Sequence, residues 1–109
     1  MVKRMSETEI QRQVLEFIRK KYGRRAFVRK LPVGAMTVGN GGAARNPLTG
    51  MPDLVVILGG RFIGIEAKVP GGRVSPLQAI THGAIKEAGG LVLIVHSLEE
   101  AMTAMEGMR

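Results

Sequence analysis

The chain contains no cysteine. That excludes disulfides, thiolate zinc sites and thiol nucleophiles, and it fits an intracellular protein. Aromatic residues make up only 4 %, with no Trp and one Tyr. There is little from which to build a base-stacking platform for single strands, so a polyanionic partner is better met through a duplex backbone. Long apolar runs are missing too: Leu54–Leu58 and Leu91–Val95 are the longest, far too short to cross a bilayer. Met1–Glu7 is charged and lacks the apolar centre of a signal peptide. These absences lead us to expect a soluble, cytoplasmic protein. Acids are outnumbered, 9 against 16 Lys and Arg, for a net charge of +7 and a pI near 10.6. Such a balance points to a polyanion, with a basic but unspecialised surface as the plain alternative. The chain has 109 residues, 45 % of them hydrophobic, enough for a single domain over 1–109 with one modest core.

The chain is organised around residues 51–68. Leu54–Leu58 is an unbroken apolar run, as expected of a strand buried on both faces. Gly59-Gly60 suits a two-residue hairpin turn. The returning strand places Phe62, Gly64, Glu66 and Lys68 on one face, with Ile63, Ile65 and Ala67 on the other. If Leu58 faces Arg61, Asp53 falls directly opposite Glu66, with Cβ atoms roughly 4.5–5.5 Å apart. Two facing carboxylates repel, and a divalent cation held between them removes that cost. Lys68, two residues on, shares their face.

Around this hairpin, Ser6 caps a helix running to Tyr22 before Gly23, and Glu9 completes a capping box. Ile10, Val14, Phe17 and Ile18 form its apolar stripe. Glu7 lies on that stripe, and spacing alone makes it a carboxylate complementing the helix dipole. A strand is expected over 26–31. Arg24, Arg25, Arg29 and Lys30, preceded by Lys20 and Lys21, form the densest positive cluster, either a solvated charge run or a set of phosphate contacts. Residues 32–50 form a long Gly-rich connection without the Gly-Lys-Ser/Thr of a P-loop. Its Arg45 is expected to touch DNA near the cleft, and a dimer contact is the alternative for this loop.

A second helix begins at Ser75-Pro76 and ends at Gly89-Gly90. Leu77, Ile80, Ala84 and Ala88 are its expected buried stripe, with Gln78 at the edge, able to lean toward Lys68. His82 has no partner at ligand spacing and reads as structural or exposed. Leu91–Val95 reads as a central buried strand parallel to the Glu66 strand. His96 ends it and carries no catalytic pattern. Ser97–Glu100 reads as another capping box before a closing helix, whose Ala101, Met102 and Met105 suit core or a dimer surface.

Pro52-Asp53, twelve intervening residues and Glu66-Ala67-Lys68 resemble the PD-(D/E)xK nuclease motif. With Gly50–Leu54, Ile65–Lys68 and Gly72-Arg73-Val74-Ser75-Pro76-Leu77-Gln78, the chain resembles the VRR-NUC family in its small stand-alone phage and bacterial form. The resemblance implies an α/β, restriction-endonuclease-like core with a central mixed sheet flanked by helices. It implies a metal-dependent endonuclease in which Asp53, Glu66, Lys68 and Gln78 are catalytic. Mg²⁺ or Mn²⁺ would be held by Glu7, Asp53, Glu66 and the Ala67 carbonyl. Lys68 would orient or deprotonate the attacking water, or stabilise the transition state. Arg24, Arg25, Arg29, Lys30, Arg45 and Arg73 would contact DNA. Similar small proteins imply a homodimer acting on branched DNA such as a Holliday junction, in the nucleoid or a phage-infected cell. The alternatives are a general or nicking nuclease and a non-catalytic DNA-binding module.

Overall fold

The computed structural model describes residues 5–34 and 46–109, with the backbone of 36–37 and 43–44. Helix α1 spans Glu7–Tyr22; the Ser6 hydroxyl accepts from the Glu9 N–H at 3.1 Å, and Gly23 ends the helix with a positive φ of 56°. A single tight turn, Gly23–Arg25, leads into β1, Ala26–Lys30. Two-residue strands β2 (Met36–Thr37) and β3 (Ala43–Ala44) pair inside the long connection. Then come β4 (Leu54–Leu58), β5 (Arg61–Ala67), α2 (Pro76–Glu87), β6 (Leu91–Val95) and α3 (Leu98–Ala104).

The main sheet has the order β1-β4-β5-β6. Strands β1, β4 and β5 are antiparallel neighbours, while β6 lies parallel to β5 after the α2 crossover. This is the mixed α/β sheet expected. Gly59 and Gly60, at φ 60° and 77°, make the hairpin turn and pair Leu58 with Arg61.

One face of the sheet carries the core. Val28, Leu54, Val56, Leu58, Ile63, Ile65, Ala67 and Val95 join Ile10, Val14, Ile18 and Tyr22 of α1, and Ala101 and Met105 at α3. Each Val, Leu, Ile or Met side chain among them, fully buried, contributes about 1.5–3 kcal/mol. The Tyr22 hydroxyl donates to the Met105 carbonyl at 3.3 Å and ties α1 to the end of α3.

The opposite face is only half covered. There Phe27, Ile57 and Phe62 face one another across three strands, with Phe27 50 % exposed. So β4 is buried on one face rather than two. Strand β6 is an edge strand, not a central one, because no later strand pairs with its free side. The inward face of α2 is Leu77, Gln78, Thr81, His82 and Ile85, while Ile80 is 70 % exposed and Ala84 and Ala88 face solvent. Alanine is indifferent to which side it takes. Thr81 satisfies its hydroxyl within the helix, on the Leu77 carbonyl one turn back, while His82 turns inward to Glu66. Two caps also differ from expectation. Glu9 turns to Arg12 at 3.0 Å instead of closing its box, and Glu100 accepts from the His96 N–H. Met102 points outward, leaving Ala101 and Met105 as the buried side of α3.

Candidate active site

The expected register holds. Leu54 pairs with Ile65, which brings Asp53 and Glu66 into adjacent positions where β4 begins and β5 ends. Pro52 reaches Asp53 by lying across Gly64: a Cβ at Gly64 would sit 2.5 Å from the Pro52 ring. Gly64→Ala therefore pushes Pro52 off the sheet and Asp53 with it. We expect a loss of about 1–3 kcal/mol in denaturant melts.

Asp53 is pinned twice. Its carbonyl accepts from the Leu31 N–H at 2.8 Å, and its Oδ2 accepts from the Ala67 N–H at 2.9 Å. Glu66 is almost fully buried, with side-chain exposure of 1 %. Burial, then a hydrogen bond and charge repulsion from Asp53, push its carboxyl up to about 8, against a partial opposing pull from Lys68. Lys68 follows on the same face, half-buried, its backbone N–H bonded to the Val95 carbonyl at 2.9 Å.

His82 closes the site from α2. Its Nε2 stands 3.2 Å from Glu66 Oε1, both side chains buried. Sequence reasoning missed this contact, although the signal was present. Gln78 and His82 are four residues apart and share a helix face, so assigning Gln78 to the site carries His82 with it.

Gln78 itself forms a capping box. Its Oε1 accepts from the Ser75 N–H at 2.8 Å, while its own N–H donates to Ser75 Oγ at 3.1 Å. Only the carboxamide nitrogen is left for other partners. Glu7 is half-buried in the first turn of α1, and its charge adds to the upward shift at Glu66 without a hydrogen bond between them. One turn on, Gln11 is buried and its Oε1 has no partner. Among the described residues, no three His, Asp or Glu side chains converge on one point. The donor set nevertheless suits a hard divalent cation: two buried adjacent carboxyls, one of them holding a proton that a cation can replace.

The basic residues divide. Arg29 pairs with Val55 and so shares the face of Asp53 and Glu66, its guanidinium stacked on Phe27 at 4.4 Å. Lys30, opposite Leu54, points to the other face. Arg24 and Arg25 precede β1 at the hairpin end, about 16 Å away at strand rise. Arg73 is exposed in the loop before α2. Arg45 lies outside the described residues. Asn46, which the sequence did not single out, clamps the base of the long connection. Its Nδ2 donates to the Pro32 carbonyl and, at 2.8 Å, to that of Gly34, while its Oδ1 accepts from the Leu48 N–H at 2.9 Å.

No family model matches the chain, and no curated protein does. Five chains of solved structures match. One, described as a "VRR_NUC domain", superposes with a TM-score of 0.68 at 25 % identity, covering 93 % of this chain and 95 % of its own.

Proposed function

We propose, from the premise that this chain belongs to the VRR-NUC family, that it is a divalent-metal-dependent endonuclease hydrolysing phosphodiester bonds in DNA, with branched duplex as preferred substrate. The observation that carries this reading is the buried Asp53/Glu66 pair with Lys68 on the same face. Uncompensated, that pair costs stability, and a non-catalytic DNA-binding module has no need of it.

Asp53 and Glu66, with Glu7 and the Ala67 carbonyl, would hold Mg²⁺ or Mn²⁺. When bound, the cation neutralises charge on the scissile phosphate and lowers the pKa of a coordinated water. Lys68 orients the attacking water or offsets the charge that develops on the phosphoryl oxygens. The Gln78 carboxamide nitrogen donates to water or phosphate, and Arg29 grips the backbone beside the cut. Pinning by the Ala67 N–H keeps Asp53 in place without spending its second oxygen.

One site cuts one strand, so paired cuts need two copies. A homodimer is supported by the uncharged outer face of α2, formed by Ala79, Ile80, Gly83 and Ala84, which is exposed along its length. No helix among the described residues is long and apolar enough to cross a membrane.

The test is a panel of end-labelled linear duplex, flap, fork and four-way junction incubated with Mg²⁺ or Mn²⁺. We expect paired, symmetric cuts in the junction at rates well above those on linear duplex. Equal rates on all four substrates would leave a general nuclease instead of a junction resolvase.

A further inference from the structure

We propose that His82 is a positioning residue that fixes the Glu66 carboxylate for cation binding by donating a hydrogen bond from Nε2 to Oε1. The proposal rests on the nuclease reading above and deepens it. Each of the two carboxyls has one oxygen facing a protein donor: Asp53 Oδ2 the Ala67 N–H at 2.9 Å, and Glu66 Oε1 the His82 Nε2 at 3.2 Å. Each keeps one oxygen for a shared ligand. The Asp53 donor is backbone, built in by the strand pairing. Glu66 lies near the end of β5, with its own backbone paired to β6, so a donor for its side chain comes from another element. Helix α2 supplies it.

A core position beside a sheet ordinarily takes an aliphatic side chain. An imidazole there leaves polar nitrogens to satisfy, which destabilises the fold if they stay unmet. His82 is 5 % exposed and its neighbours on the inner face of α2 are Gln78, Thr81 and Ile85. A neutral ring donates from Nε2 only as the Nε2–H tautomer. That tautomer sets the carboxylate plane, as outer ligand partners do in metal sites generally.

The test compares wild type with His82→Leu, which fills the space without a donor, and His82→Gln, whose amide nitrogen reaches similarly and can donate. Mn²⁺ affinity is measured calorimetrically on the full chain without DNA, beside thermal melts of the metal-free proteins. His82→Leu should bind Mn²⁺ about 10–100-fold more weakly without a fall in metal-free Tm. His82→Gln should recover affinity to within about tenfold of wild type, and the long-range ¹H–¹⁵N spectrum of loaded wild type should show a protonated Nε2. Unchanged Mn²⁺ affinity in His82→Leu overturns the proposal and leaves His82 a packing residue. A loss for Zn²⁺ but not Mg²⁺ or Mn²⁺ overturns it in favour of direct ligation. If wild type itself binds no divalent cation, the nuclease reading falls first and this inference with it, a result distinct from the other two.

Discussion

Lys68→Ala is expected to lower DNA cleavage by about 10²–10⁴-fold while junction binding stays close to wild type. Lys68 stands beside Glu66 on the site face, and its charge already acts on that carboxyl. Removing it leaves the proposed ligands Asp53 and Glu66 intact, so divalent-cation affinity should hold or rise slightly as the local positive charge disappears. Asp53→Asn separates the two roles from the other side. The amide oxygen can still accept from the Ala67 N–H, so the fold survives, but the lost charge should abolish both cation binding and cutting. Gel shifts on a four-way junction, run beside cleavage assays, distinguish lost chemistry from lost binding. A Lys68→Ala protein that cuts at wild-type rates would remove the lysine from the mechanism.

The second large effect is on stability. Glu66 has a folded-state value near 8 against an ordinary 4.5, so between those limits the native protein binds more protons than the unfolded chain. The contribution of Glu66 to stability is therefore full below about 4.5 and is lost as pH rises through 8. His82, held below its ordinary 6.5, acts in the opposite sense at acid pH, leaving 6.5 to 8 as the window in which Glu66 dominates. Across it the metal-free protein should lose about 2 kcal/mol, a drop of roughly 10 °C in Tm. Glu66→Gln should melt independently of pH there and lie above wild type at pH 8. Added Mg²⁺ should raise the wild-type Tm most at pH 8 and leave Glu66→Gln unmoved. A wild-type Tm that is flat or rising over the same window would show Glu66 already ionised without metal.

The β4–β5 hairpin was legible because its turn, its alternation and its motif all demand the same pairing. Gly59-Gly60 sets the register, the register sets Asp53 beside Glu66, and the repulsion between them speaks for a cation. α1 was legible for a similar reason: Ser6, the 10/14/18 spacing and Gly23 agree. α2 was not. Its Ala84 and Ala88 carry no preference for burial, so the period could be read one face away from the true one. That rotation hid His82, whose partner lies 16 positions earlier on another element. The place of β6 at the sheet edge was equally hidden, since a strand that is half-covered on both faces is as apolar as a central one. Asn46 escaped because its value lies in two carbonyls contributed by residues 32 and 34, across the long connection.

The most direct test of the central claim is cleavage of labelled four-way junction by wild-type protein, with EDTA, Mg²⁺ or Mn²⁺ in parallel. Products that form only with the added cation, and are missing from Asp53→Asn under the same conditions, are the result predicted. Junction that is bound under every condition but never cut, or cut equally well in EDTA, would contradict it.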